Sequence, residues 1–283
     1  MLVLITSLSG FAQMSKVEQA YDQARRGILD SAKMNIDAAC LHPESKDDSQ
    51  TWSIRGLIYK EIYKKSELSA YNSPLRDEAV ESFMKALKLD TSKQYQENIF
   101  GSLKYLGSRY YNDATRTMDS SGYQLAISNF EKYKKIYTLI DPKFNSTIKE
   151  IEFDLALSYR FQEIYEATNN KNQLDLAKVY LMKALDLDPN SFGANKNLGI
   201  LYYNLGVNVI KKMDYDVPLE ELSNYQDQSI KYFKQALPFM LKAHQISPND
   251  KTGIEGLQGI YYQLNDFDKS NEYKKKLETL NKQ

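Results

Sequence analysis

Residues 51–62, TWSIRGLIYKEI, decide the fold because their large and small side chains recur at helical spacing. Trp52, Gly56 and Tyr59 stand four and three positions apart, so they share one face of a helix. The glycine between the two aromatic residues leaves room for a second helix to approach that face closely. The stretch therefore predicts the first helix of a tightly packed pair.

Two patterns of this kind recur along the chain, and strand signals are almost absent, so the sequence predicts an all-helical fold. The first pattern repeats as Leu103, Leu106, Gly107 and Tyr110; Leu155, Ala156 and Tyr159; Leu198, Gly199 and Tyr202; and Ile254, Leu257 and Tyr261. The second pattern places small and large residues at offsets of four and three: Ala79, Phe83 and Ala86; Ala177, Leu181 and Ala184; Ala236, Met240 and Ala243; and, more loosely, Ala126, Phe130 and Tyr133.

Together these patterns resemble the tetratricopeptide repeat family, in which W-x2-L-G-x2-Y on a first helix precedes A-x3-F and a closing proline on a second. The best copy departs from the family pattern only at Arg55, where leucine is expected. Residues 51–62 and 235–250 resemble secreted tetratricopeptide proteins that are common in Bacteroidetes. The resemblance implies an all-α, right-handed α-solenoid of helix pairs that binds another molecule.

The repeats predict where the chain divides. We expect a signal peptide at residues 1–13, a degenerate helix pair at 14–49 and a repeat array at 50–283. The array is expected to divide at about 50–92, 93–143, 144–190, 191–249 and 250–283.

Extra residues separate the two helices of most pairs. In the family the first-helix tyrosine and the second-helix alanine lie about nine positions apart, but Tyr59 and Ala79 are 20 apart and Tyr202 and Ala236 are 34 apart. We expect longer helices to absorb most of this excess, with loops near 68–74, 115–122 and 214–217. A binding ridge along that edge, longest at residues 211–230, is the alternative.

The N-terminal run MLVLITSLSGFAQ is apolar and places Gly10 and Ala12 where a signal peptidase needs small residues. We interpret it as a signal peptide, although no lysine or arginine precedes Lys16. It is too short for a transmembrane helix, which needs about 20 apolar residues, and no later segment is apolar enough. The protein is expected to be periplasmic or secreted, with the cytoplasm as the alternative.

The composition gives little support for nucleic-acid binding or catalysis. Lysine plus arginine equal aspartate plus glutamate at 37 each, so no net charge attracts a polyanion. The histidines, His42 and His244, are expected at the surface near helix C-termini. Cys40 and His42 lack further residues at metal-ligand spacing, and a buried thiol is expected. We expect no enzyme activity, no metal and no cofactor.

Family members line their concave groove with first helices, so residues just after each repeat tyrosine, and those seven earlier, are expected to project there. Basic and aromatic groups at these positions suit an extended acidic peptide, although packing between repeats is the alternative. The predicted groove residues are Lys60, Lys104, Tyr111, Phe153, Arg160, Lys196, Tyr203 and Tyr262, with Ser53 and Glu255 completing the second row.

The sequence favours a non-catalytic scaffold or adaptor of the bacterial cell envelope that binds a protein or peptide. One alternative is a ligand-binding component for glycan or nutrient uptake. Another is a cytosolic regulatory adaptor, if residues 1–13 are not cleaved.

Overall fold

A computed structural model describes residues 16–119, 122–213 and 216–282, which form helices joined by turns and contain no strand. The predicted signal peptide lies outside these residues. The chain divides into two compact units, Met1–Asn145 and Ser146–Gln283. Unit 1 contains α1 (residues 16–25), α2 (Leu29–Leu41), α3 (Ser49–Ser66), α4 (Pro74–Leu89), α5 (Gln96–Arg116) and α6 (Tyr123–Ile140). Unit 2 contains α7 (Thr147–Thr168), α8 (Lys171–Leu187), α9 (Phe192–Lys211), α10 (Leu219–Ile246), α11 (Lys251–Gln263) and α12 (Phe267–Asn281).

In unit 1, α3 pairs with α4 and α5 pairs with α6. A Cβ atom on Gly56 would lie 2.6 Å from the ring of Phe83, and farther along the pair the Arg76 guanidinium lies 5.6 Å from the ring of Tyr63. Residue numbers increase along α3 in the direction in which they decrease along α4, so the two helices are antiparallel. The predicted tetratricopeptide-type pairing is confirmed here, with the small residue of the first helix against the large residue of the second.

Arg55, the departure from the family pattern, ties three helices of unit 1 together. Its Nε lies 2.9 Å from the carboxylate of Asp37 on α2, and its Nη2 lies 2.8 Å from Glu78 on α4. Its guanidinium also stacks 4.2 Å from the ring of Tyr59. Leucine could fill this space, but arginine adds charged hydrogen bonds between neighbouring helices.

In unit 2, the pair α9–α10 repeats the close approach twice. A Cβ on Gly199 would lie 2.9 Å from Met240, and one on Gly206 would lie 2.8 Å from Phe233. The second contact lies two turns beyond the first, so the extended helices continue to pack on each other. Most of the 34-residue spacing between Tyr202 and Ala236 is therefore helix.

The pair α7–α8 has the predicted type of packing but a different register. Ala156 and Tyr159, predicted to face α8, are exposed, while Leu157, Ser158 and Phe161 are buried. The ring of Phe161 lies 5.5 Å from that of Tyr180 on α8. The predicted register was wrong by two residues because both sets have the same spacing of large, small and aromatic residues.

The turns between paired helices are shorter than the sequence spacing indicates. Only residues 169–170 separate α7 from α8, and Asn169 adopts the left-handed conformation, with φ of 54°, that ends the helix. The longest helix, α10, begins at Leu219, so Pro218 is its N-cap and Pro238 lies in its interior. Of the predicted turn at 214–217, residues 216–217 are a turn and a bend, and 214–215 lie outside the described residues.

The contact at Gly56 makes a testable prediction about packing. Gly56→Ala should lower the free energy of unfolding by about 1–3 kcal/mol, because the new methyl group must displace the buried Phe83 ring. The matched control is Gly101→Ala on the exposed face of α5, where no atom lies within 4 Å of the new Cβ. There alanine should stabilise by about 1 kcal/mol. Urea denaturation measures both, and equal effects would contradict close packing at Gly56.

Candidate functional site

The predicted groove residues of unit 1 differ in their exposure. The Lys60 ammonium donates to Ser102 Oγ at 3.1 Å, linking α3 to α5, and burial lowers the pKa of Lys60. The ring of Tyr111 packs 5.0 Å from that of Tyr133 on α6. Lys104 is exposed. Lys60 and Tyr111 therefore make packing contacts within unit 1, and Lys104 presents an accessible charge.

The predicted groove residues of unit 2 also include both packed and exposed side chains. Phe153 is buried, Lys196 lies 3.3 Å from the Asp250 carboxylate, and the Tyr203 hydroxyl lies 2.6 Å from where a Gly259 Cβ would be. Lys196 and Tyr203 thus hold α9 against α11. Two residues are exposed: Arg160, which pairs with Glu163 at 2.6 Å, and Tyr262, whose ring lies 5.6 Å from that of Phe267.

Cys40 is buried in the core, and His42 makes a local hydrogen bond. Cys40 is 8% exposed, and burial raises the pKa of its thiol to about 11, so the reactive thiolate is not formed near neutral pH. His42 follows α2, and its Nδ1 accepts the Glu44 N–H at 3.4 Å. In the part of the chain that the structure describes, no cluster of three or more His, Cys, Asp or Glu residues could hold a metal ion.

His244 lies in the last turn of α10, as predicted, and is half-buried against α12. Its Nε2 lies 2.9 Å from the Lys276 ammonium, and its ring meets the Tyr273 ring edge-on at 5.4 Å. Burial lowers the pKa of His244, and the positive charge of Lys276 lowers it further. The neutral imidazole accepts a hydrogen bond from Lys276 and so links the two helices.

A cleft of about 920 Å³ opens between α4 and α6, with Tyr110 of α5 among its lining residues. On α4 the lining positions run from Asp77 to Leu89, which is about three turns or about 18 Å. These positions differ from those of the core face of α4, which buries Ala79, Phe83 and Ala86. The apolar lining residues are Val80, Met84, Leu87, Leu89, Ile136 and Leu139.

One end of the cleft is a network of polar side chains. The Tyr110 hydroxyl donates to the Asp77 carboxylate, and the Lys132 ammonium lies 2.8 Å from both oxygens of the same carboxylate. Burial, followed by the hydrogen bond to Asp77, raises the pKa of Tyr110, so the phenol stays protonated. Asp77 is therefore neutralised within the network and fixes α4 relative to α5 and α6.

A fully buried ion pair supports this end of the cleft. Arg76 and Asp113 are each 1% exposed and bind each other, joining α4 to α5. The Arg76 guanidinium stacks 4.0 Å from the Tyr110 ring and donates to the Tyr71 carbonyl at 3.0 Å. These contacts hold Tyr110 and Asp77 in place before any partner binds.

Lysines predominate along the sides of the cleft. Lys85 and Lys88 project from α4 and Lys135 from α6, whereas Glu81 is the one lining carboxylate besides Asp77. Lys88 and Lys135 are exposed, and the Lys85 ammonium lies 3.7 Å from the Trp52 ring. Because Lys132 and Asp77 neutralise each other, the rest of the lining carries an excess of positive charge.

Neither predicted binding surface, the groove of first helices or the ridge between paired helices, includes this cleft. The signal was a second apolar stripe on α4. Val80, Met84 and Leu87 each follow by one position the core residues Ala79, Phe83 and Ala86. A helix with two apolar stripes needs a second partner surface, or leaves one stripe exposed to solvent.

No protein-family model and no curated protein sequence matches the chain. Similar solved structures include a TPR repeats protein from Bacteroides fragilis, at 17% identity and a TM-score of 0.49, covering 88% of this chain and 98% of that one. PilW, a type IV pilus biogenesis factor, has 17% identity and a TM-score of 0.30, covering 95% and 93%. The human IFIT1 dimer with m7Gppp-AAAA has 15% identity and a TM-score of 0.31, covering 91% and 66%.

One of these neighbours is described as a TPR repeats protein, the family that the sequence patterns resemble. Among the helices that the structure describes, none combines the length and apolar character needed to cross a membrane.

The buried ion pair between Arg76 and Asp113 leads to a prediction about the stability of the protein. Asp113→Ala should lower the free energy of unfolding by about 3–5 kcal/mol, because it leaves the Arg76 charge buried without its partner. The double variant Arg76→Met/Asp113→Leu should recover most of this loss, since neither charge then remains. Chemical denaturation of the two variants measures the difference. A double variant as unstable as Asp113→Ala would contradict this role.

The His244 contact predicts a pH dependence of stability. In the unfolded chain a histidine binds its proton near pH 6.5, whereas in the folded chain the pKa of His244 is lower. The unfolded state therefore takes up the proton first as pH falls, and stability present above about pH 6.5 is lost below it. Relative to His244→Asn, the wild-type protein should lose unfolding free energy between pH 7 and 5. A difference that stays constant with pH would refute this link.

Proposed function

We propose that this protein is a non-catalytic scaffold that binds a protein or peptide partner in the cleft between α4 and α6. The observation that carries the proposal is the cleft itself. It presents a continuous apolar surface three turns long, with lysines on both sides. A surface of this kind is typical of sites where a protein binds another protein.

The polar groups around the cleft support binding rather than chemistry. Asp77, Tyr110 and Lys132 satisfy one another, and Arg76 is paired with Asp113. None of these groups is positioned as a base beside an activated nucleophile. Their effect is to fix the shape of the cleft, which reduces the ordering cost when a partner binds.

The predicted groove offers a smaller alternative surface for a partner on unit 1. Its packed members, such as Lys60 and Tyr203, hold neighbouring helices together. Exposed Lys104 remains an alternative contact point on unit 1, away from the residues that line the cleft. A partner that used the groove would contact Lys104 and leave Met84 free.

We place the scaffold in the bacterial cell envelope. The support is the apolar run at residues 1–13, which ends in small residues. Glycan or nutrient uptake is a weaker alternative, because most of the lining surface is apolar and the polar groups Asp77, Tyr110 and Lys132 already bond to one another. N-terminal sequencing of protein purified from its native cells tests the location. A chain starting near residue 13 or 14 supports export, and a retained leader supports the cytosolic adaptor.

Site-specific photo-crosslinking in the native cells tests the binding surface. A photoreactive phenylalanine replaces Met84 in the cleft, Lys104 in the predicted groove, or Lys274 on the exposed face of α12 as a control. We expect a discrete protein adduct from position 84 and none from position 274. An adduct from 104 alone would move the site to the groove, and the same adducts from all three positions would refute a specific site.

A further inference from the structure

We infer that the partner segment is an amphipathic α-helix with an apolar stripe and acidic residues on both flanks. This inference rests on the proposed function and names the occupant of the same cleft. The cleft combines an apolar floor about three turns long with lysines on α4 on one side and on α6 on the other, and this combination supports the inference.

The length and spacing of the lining side chains match a helical ligand. Val80, Met84 and Leu87 follow one another at three or four positions along α4, and Ile136 and Leu139 do so on α6. A helix presents its own side chains with the same periodicity, so ridges of a third helix can enter the spaces between these residues. Apolar anchors at positions i, i+3 or i+4, and i+7 of a partner would cover the floor.

Backbone hydrogen bonding favours a helix over an extended segment. The cleft is walled by side chains of α4 and α6, and the backbone groups within these helices already bond to each other. An extended peptide laid on this apolar floor would lose water from its N–H and C=O groups without gaining partners. A helix satisfies those groups internally and presents only side chains.

Charge complementarity selects acidic flanks. Lys88 and Lys135 are exposed on opposite sides of the floor, and Glu81 is the one lining carboxylate that the Lys132 and Tyr110 network does not neutralise. Glutamate or aspartate beside the apolar stripe of a partner would meet these ammonium groups at the rim. Residues 1–13 of this chain carry no charged side chain, so they would not use the lysines.

A displayed library tests this inference directly. Helical peptides of about 16 residues, with one apolar stripe and flanks randomised among acidic, basic and neutral residues, are selected against the full chain. We expect acidic flanks to be enriched. The selected peptide should then bind at least tenfold more weakly to Lys88→Glu/Lys135→Glu, as measured by fluorescence anisotropy, and more weakly as salt increases.

The control variant Lys274→Glu/Lys275→Glu makes the same change in charge on α12 and should bind as the wild type does. Circular dichroism establishes that both variants fold. A third variant, Met84→Glu, should also weaken binding, because it places a charge on the apolar floor. Its loss of binding separates contact with the floor from attraction by the lysines alone.

Three results with the library would overturn the inference: no enrichment of any helix, enrichment of basic flanks, or binding unaffected by the cleft variants. A long-chain fatty acid that binds the cleft while no peptide does would also overturn it, since the ligand would then be a lipid. If Met84 captures a protein in cells but the library fails, the scaffold function stands and the helical ligand is wrong. Failure of both experiments refutes both proposals.

Discussion

The close approach of paired helices at small residues is the constraint on which the rest of the structure depends. Where Gly56 meets Phe83, and where Gly199 meets Met240, the first helix has no side chain to hold the second away. Large residues of the second helix then fill the space, and burial of their apolar surface stabilises the pair. With its core stripe turned toward the first helix, α4 leaves its neighbouring stripe of Val80, Met84 and Leu87 to line the cleft.

Polar contacts fix the relative rotation and position of the helices, which apolar contacts alone leave adjustable. Apolar packing is non-directional, so it tolerates small rotations and shifts between helices. The Arg76–Asp113 pair and the Asp77–Tyr110–Lys132 network are directional, and they join α4 to α5 and α6 at one end of the cleft. Arg55 does the same between α2, α3 and α4. These contacts within unit 1 therefore fix the shape of the cleft.

The sequence predicted the helices and most of their pairing because these features depend on local spacing. Gly56, Gly107 and Gly199 mark the close contacts directly, and paired helices are near in sequence. The register of α7 was not predictable, since Leu155-Ala156 with Tyr159 and Leu157-Ser158 with Phe161 have the same local pattern. Only packing against α8 distinguishes the two sets.

The cleft could not be predicted from spacing for a different reason. It forms between α4 and α6, which belong to different pairs, so its width depends on how successive pairs stack. The predicted groove residues met the same limit. Stacking of successive helices determines that Lys60 reaches Ser102 and that Lys196 reaches Asp250, and the spacing along one helix does not show this.

Methionine-methyl NMR would show whether a partner occupies the cleft between α4 and α6. In a chain labelled with ¹³C at its methionine methyl groups, Met84 reports on the cleft, Met240 on a buried core and Met34 on an exposed surface of α2. Adding the partner purified from its cellular complex should shift the Met84 signal and leave those of Met240 and Met34 in place. An unchanged Met84 signal at a saturating partner concentration would contradict binding in the cleft.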